Sequence, residues 1–318
     1  MEKKEMILLS VVLLVGLSLA GAVGCQGEDK TPTTSTPFIG GTNGILVGFT
    51  AEAPPKEVYD GGTYPFNIVI QLTNEGEYDV KATDATVKIL GIDPADFSKT
   101  PADLVQQPAE DLLGSYKEAD TGSVIKGTTT TVEFTDLNYK GKTAGNMQMP
   151  IFADVCYTYG TNVASQLCIK KDPTDTSSKI CTVEEDKTVY SSAAPVQVTK
   201  LHQALRGKNI VGFTFIIQKK GSGNVFTKGS KCDTQGILYE NKVWLEITVP
   251  EMAGTKCSGL SGGTDSTGYI TLYNGERTIS CTQPAPAETD YVKNIDIKLV
   301  YDYRETAPTT LIIKHTPN

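Results

Sequence analysis

Tyr64-Pro65-Phe66-Asn67-Ile68-Val69-Ile70-Gln71-Leu72, closed by Asn74-Glu75-Gly76, is the stretch that decides the fold. Phe66, Ile68, Ile70 and Leu72 recur at every second position, a period that places them on one face of an extended strand. The turn Asp60-Gly61-Gly62 precedes it and the strand Ile45-Leu46-Val47-Gly48-Phe49 lies further upstream. Downstream, strands are expected at Thr86 to Leu90, Thr129 to Phe134 and Pro150 to Tyr159, the last with Ala153, Val155, Tyr157 and Tyr159 pointing one way. Between them Asp93 to about Asp120 reads as a long polar excursion with local helical turns. Val, Ile, Thr and Tyr dominate every periodic stretch, so the fold class is all-β.

The pattern occurs twice. Val211-Gly212-Phe213-Thr214-Phe215-Ile216-Ile217-Gln218 followed by Gly221-Ser222-Gly223 repeats Phe66 to Gly76. Tyr301-Asp302-Tyr303 followed by Leu311-Ile312-Ile313 repeats Tyr157-Thr158-Tyr159 followed by Leu167-Cys168-Ile169 at the same spacing. Reading Gly160-Thr161-Asn162 as a turn makes a hairpin in which Cys156 faces Cys168, a geometry that suits a disulfide. A second hairpin, Tyr269 to Ser280, is expected about Asn274-Gly275, a type I′ signal. Trp244, the only tryptophan, is assigned to core packing.

The order of a Gly-rich turn, an F-x-I-x-I-x-L strand and an N-x-G turn resembles the CARDB-like, immunoglobulin-like domains of prokaryotic, archaeal-type cell-surface proteins. The resemblance implies antiparallel β-sandwiches with no catalytic residues of their own. Two tandem immunoglobulin-like sandwiches are therefore expected, at 44–198 and 199–318.

The first twenty-five residues decide where such domains work. Lys3 and Lys4 precede an uncharged apolar run from Met6 to Gly24, the anatomy of a secretory leader. Ala22-Val23-Gly24-Cys25 resembles the lipobox of secreted lipoproteins, with alanine where leucine is usual, and the resemblance implies lipid attachment at Cys25. The alternatives are an uncleaved anchor helix and a freely secreted product. Residues 26–43, rich in Thr, Pro, Ser and Gly, read as a flexible spacer. The chain has no Asn-x-Ser/Thr sequon.

A net charge of −8 excludes a nucleic-acid partner, whose phosphates call for a basic face. Of seven cysteines, six remain once Cys25 is assigned to the leader: Cys156, Cys168, Cys181, Cys232, Cys257 and Cys281. Three disulfides in an oxidising compartment account for them. With three cysteines on each side of residue 199, at least one bridge must join the two halves; Cys181 competes with Cys156 for Cys168. The absence of any C-x-x-C and the presence of only two histidines argue against structural zinc.

Motifs that could carry chemistry are sparse. Gly259-Leu260-Ser261-Gly262-Gly263 fits the nucleophile-elbow pattern, which has meaning only between a strand and a helix of an α/β fold. Ser261 instead sits in a Gly-rich loop, with His315 the only downstream imidazole. Gly141-Lys142-Thr143 lacks the first glycine of a phosphate loop, since position 136 is Asp. Asp93, Asp96 and Asp103, or Asp172 and Asp175, lack calcium-loop spacing and read as solvated turns. His202 reads as a hydrogen-bonded connector. The expectation is a membrane-anchored, cell-surface protein with a structural or binding role, without catalysis, cofactor or metal. Its partners would be the membrane, an envelope protein, a neighbouring subunit or a glycan. A filament or lattice subunit is the alternative, and a secreted hydrolase a distant one.

Overall fold

The computed structural model describes residues 36–175, 177, 179–233 and 237–316. The leader, Cys25 and the linker up to residue 35 lie outside the described residues. Thr36–Asn318 form one compact unit. Its strands, in chain order, are β1 (Ile45–Phe49), β2 (Glu57–Tyr59), β3 (Phe66–Asn74), β4 (Ala85–Leu90), β5 (Val105–Gln106), β6 (Tyr116–Lys117), β7 (Val124–Ile125) and β8 (Thr129–Leu137). There follow β9 (Met147–Ile169), β10 (Glu185–Lys187), β11 (Tyr190–Ser191), β12 (Val196–Gly207), β13 (Ile210–Lys219) and β14 (Asn224–Phe226). The last are β15 (Lys242–Thr248), β16 (Lys256–Cys257), β17 (Thr267–Thr271), β18 (Glu276–Pro284) and β19 (Tyr291–Lys314). The only helical elements described are short 3-10 turns.

β3 buries Phe66, Ile68, Ile70 and Leu72 on one face, as its period requires. It is the middle of a three-stranded sheet, β1-β3-β8. Its counterpart β13, burying Phe213, Phe215 and Ile217, lies inside a five-stranded sheet, β10-β12-β13-β18-β16. Both sheets share one apolar core with a nine-stranded sheet whose main path is β17-β15-β19-β9-β4-β5. The fold is thus an all-β assembly of predominantly antiparallel sheets, the exception being the parallel pairing of β2 with β19.

The centre of that nine-stranded sheet differs from the sequence expectation. Gly160-Thr161-Asn162 does not turn. β9 runs straight through it for 23 residues and pairs antiparallel with β19 along its whole length, from Ile169 opposite Tyr291 to Met147 opposite Ile313. Strict alternation continues on both sides of Gly160, with Val155, Tyr157, Tyr159, Thr161 and Val163 all buried on the inner face. An unbroken strand and a hairpin present the same alternation, and the β-branched Thr161 and Val163 favour the strand. The repeated Tyr-x-Tyr motifs consequently meet: Tyr157 lies opposite Tyr303, Thr158 opposite Asp302 and Tyr159 opposite Tyr301. β4 flanks β9 at Leu90 to Ala85, and β15 flanks β19 at the corresponding place, Thr86 opposite Cys156 matching Trp244 opposite Val300. A local two-fold relation through Thr158 and Asp302 therefore relates the two repeats, which both draw on the two long strands. Residue 199 lies within β12.

The disulfides change accordingly. Cys156 pairs with Cys232, Cys168 with Cys181 and Cys257 with Cys281. The expected Cys156 to Cys168 bridge is excluded because both residues lie on one continuous strand, twelve positions apart and pointing the same way. Cys156–Cys232 is the bridge between halves that the count demanded. It sits on the outer face of the spine beside the buried Phe226, where Asp302 accepts hydrogen bonds from Thr158 Oγ1 (2.8 Å), Gly229 N (3.1 Å) and Lys231 N (2.8 Å).

Two further expectations are corrected. Asn274 and Gly275 both have positive φ, as a type I′ turn needs, and Tyr273 and Glu276 exchange backbone hydrogen bonds across it. The flanking strands, however, then part: β17 joins β15 in one sheet and β18 joins β13 in the facing sheet. Trp244 is half-buried on the outer face, edge-on to Tyr269 with ring centroids 4.8 Å apart, rather than in the core. The excursion after β4 is pinned by buried Phe97, Leu104 and Leu112.

Cys156–Cys232 closes a separation of 76 residues, and in the chain-entropy account a loop of that size contributes about 4.5 kcal/mol. Replacing both cysteines by alanine should lower the unfolding free energy by about that amount in urea titrations. Cys168–Cys181, spanning 13 residues, should cost about 1.5 kcal/mol less.

Candidate functional site

Tyr157, Tyr159, Tyr301 and Tyr303 are each at most 1% exposed, yet carry hydroxyls that need partners when buried. Each finds one at the rim of the facing sheets. Ile45 N at the start of β1 donates to Tyr157 Oη (3.1 Å), and Val196 N at the start of β12 donates to Tyr301 Oη (3.1 Å). Tyr159 Oη donates to Asn74 Oδ1 at the end of β3 (3.0 Å), and Gly223 N, just beyond β13, donates to Tyr303 Oη (2.6 Å). The lock thus obeys the same two-fold relation as the strands. Burial pushes all four phenols above their ordinary pKa, with Glu305 adding repulsion at Tyr303, so they stay protonated.

Between two of these hydroxyls a polar cleft of about 270 Å³ opens where the β1 edge meets the Lys220-Gly221-Ser222 loop. Its walls include Ile45, Val47, Tyr157, Tyr303, Glu75 and Glu305. Asn43 Nδ2 donates to Glu75 (2.8 Å) and Ser222 Oγ to Glu305 (2.8 Å). The cleft offers two phenols, two carboxylates, an ammonium and a strand edge. Such groups can hold a polar ligand by hydrogen bonds.

The motif residues of the sequence are placed elsewhere. Ser261 Oγ donates to Tyr269 O (3.2 Å), so it is not activated by an imidazole. His315 directs Nδ1 to the buried Asp60 (3.0 Å), whose carboxylate also accepts from Thr143 N and Oγ1 (2.9 and 3.0 Å) and from Thr316 N and Oγ1 (2.9 and 2.8 Å). Gly141-Lys142-Thr143 therefore serves this latch, which joins the end of β19 to the loop after β2. The backbone bond from Thr143, then His315 and Thr316, hold the Asp60 carboxyl far below the usual carboxylate range. Asp93 caps Ala95 N, Asp103 closes a capping box with Thr100, and Asp172 and Asp175 bind Thr174 and Ser177. Asp96 lies within the 3-10 turn Pro94–Phe97, and its carbonyl accepts from Lys140 N. His202 pairs with Asp186 (2.8 Å) on the exposed face of the five-stranded sheet. Among the described residues no group of three or more His, Cys, Asp or Glu is placed to hold a metal, and no helix is long and apolar enough to cross a membrane. The six cysteines are all in disulfides, and Cys25 lies outside the described residues.

Fold and site define an all-β, disulfide-bonded protein with a polar cleft near the centre of an internal repeat. No family model and no curated protein matches the chain. Among solved structures it is similar to the envelope protein VP37 from White Spot Syndrome Virus, at 10% identity over 46% of this chain and 97% of that one, with a TM-score of 0.24. It is also similar to the secreted serine protease VesC from Vibrio cholerae, at 11% identity over 80% of this chain and 49% of that one, with a TM-score of 0.17. Scores this low carry no argument about function.

Tyr301→Phe removes the partner of Val196 N and should destabilise the protein by about 1–3 kcal/mol, measured by denaturation. Asp60 gives a pH signature. Its folded pKa is depressed, so its stabilisation is complete above its unfolded pKa and drains away as pH falls below about 4. Asp60→Asn should therefore lower the melting temperature at neutral pH, and the gap from wild type should shrink steadily between about pH 4 and pH 2.

Proposed function

We propose that this protein is a lipid-anchored component of the extracellular face of a membrane, with a binding or structural role and no catalysis, built from an internal repeat akin to CARDB-like domains. The observation that carries the reading is the set of three disulfides, above all Cys156–Cys232, which ties the outer face of the spine to a distant loop. Disulfides persist in oxidising compartments, which fits a chain carrying a secretory leader. Support also comes from the motif residues: Ser261 and His202 make separate structural hydrogen bonds, and Thr143 and His315 are both taken up in the Asp60 latch between β19 and the loop after β2. The cleft, with hydroxyls, carboxylates and a strand edge, suits recognition of a polar partner at that surface.

The anchor is tested on the full chain in its native membrane. Wild-type protein should partition into the detergent phase and yield an N-terminal peptide with a lipid-modified Cys25. Cys25→Ser should either leave the leader unprocessed or release the protein into the aqueous phase. An unmodified mature N-terminus downstream of Cys25 in the wild-type protein would overturn the reading.

A further inference from the structure

We propose that the cleft beside β1 is a strand-addition site that takes an extended peptide segment of a partner protein, one carrying a lysine or arginine. The proposal rests on the binding role proposed above and supplies its site and ligand class. It stands on a comparison between the two ends of the tyrosine lock.

At the β1 end, Glu75 N bonds Gly44 O (2.9 Å) and Thr50 N bonds Val69 O (3.0 Å). An antiparallel ladder alternates bonded and non-bonded pairs, so Gly44, Leu46, Gly48 and Thr50 face β3 while Ile45, Val47 and Phe49 turn their peptide groups outward. Tyr157 takes the Ile45 N–H. The Ile45 carbonyl and both peptide groups of Val47 are left at the wall of the cleft, and no strand among the described residues pairs with that edge. Unpaired edges of this kind are the template on which an extended chain adds.

At the β12 end the same alternation turns Val196 and Val198 outward, since Lys220 N bonds Pro195 O (2.7 Å). Here the protein closes the edge itself. Thr161 Oγ1 donates to Val196 O (2.6 Å) and Ser191 Oγ to Val198 O (3.0 Å). The chain's own N-terminal arm then lies alongside, turning at Gly40 and Gly41, whose φ angles are positive. Ile39 N and Gly40 N donate to the two oxygens of Glu77 (2.9 Å each), and Gly41 O accepts from Ala194 N (3.3 Å) and Gln197 Nε2 (2.8 Å). One end of the two-fold thus already holds a segment of chain by its backbone, with a carboxylate gripping the N–H groups. The other end keeps the edge, the tyrosine and carboxylates, but no segment.

Size and charge narrow the occupant. Ile45 to Val47 spans about 7 Å of strand, enough for a short extended segment and too little for a folded domain. Glu75 and Glu305 outnumber Lys220 at the rim, which favours a cationic side chain.

The test uses the full chain in detergent micelles, with the acetylated and amidated hexapeptide Thr-Val-Lys-Val-Thr-Val as probe, followed by NMR. Saturable shifts are expected at Ile45, Val47, Tyr303 and Ser222. Ser222→Trp, which fills the cleft from an exposed loop, and Val47→Pro, which removes an outward donor, should each weaken binding at least about tenfold, and Glu305→Gln should reduce preference for the lysine peptide over its glutamate analogue. A probe N-methylated at every residue should not bind. The proposal is overturned by absence of saturable binding, by equal binding of the N-methylated probe, by unchanged binding to Ser222→Trp, or by displacement of the probe with a neutral oligosaccharide. Because the protein is already in detergent, a failure of lipid attachment at Cys25 leaves this measurement untouched.

Discussion

The pairing of β9 with β19 along the full length of β9 is the constraint on which the rest of the molecule depends. It fixes a single inner face, and every residue that points to that face must find a partner in one of two covering sheets. Apolar residues do so by packing: Val155, Val163, Leu299 and Leu311 join one continuous core. The four tyrosines at the middle carry hydroxyls into that core, and each buried hydroxyl is matched to a peptide or amide group where a covering sheet begins or ends. The positions of β1, β3, β12 and β13 over the spine are set by those bonds as much as by hydrophobic contact, because a displaced strand would leave a buried polar group unpaired.

Much of this was legible before any coordinates. The period-two pattern at Phe66 to Leu72 and its echo at Val211 to Gln218 gave the strands and their buried faces, and the Tyr-x-Tyr echo gave the repeat. The spacing of that echo did not reveal that its two copies pair with each other. Alternation along Ala153 to Ile169 reads identically whether the chain reverses at Gly160 or continues, since a hairpin and a long strand bury the same set of residues. The choice is made by a partner more than a hundred residues away, and the disulfide error followed from it: Cys156 finds Cys232 only because β14 brings its loop to the outer face of β19.

The cleft was out of reach for the same reason. Its walls come from β1, the middle of β9, the loop after β13 and the second half of β19, and only the long pairing of β9 with β19 brings them together. Sequence could have offered one hint, that Tyr157, Tyr159, Tyr301 and Tyr303 share the inner face of strands otherwise filled by aliphatic side chains. The Asp60 latch was equally silent, since Asp60-Gly61-Gly62 and Gly141-Lys142-Thr143 read separately as a turn and an accidental motif. Ser261, which fits the nucleophile-elbow pattern, bonds a backbone carbonyl in its loop, and His202 is hydrogen-bonded to Asp186 as a connector would be.

Glu77 gives the fold a mechanical character. Its carboxylate holds Ile39 and Gly40 of the N-terminal arm and also Ala193 (2.6 Å), just ahead of β12, while Glu77 itself follows β3. The arm is therefore fastened at the seam between the repeats, beside the middle of the two long strands. Tension applied through it enters both covering sheets at once and is passed to β9 and β19 through their centre, so the load is divided between the repeats instead of being transmitted through one to reach the other.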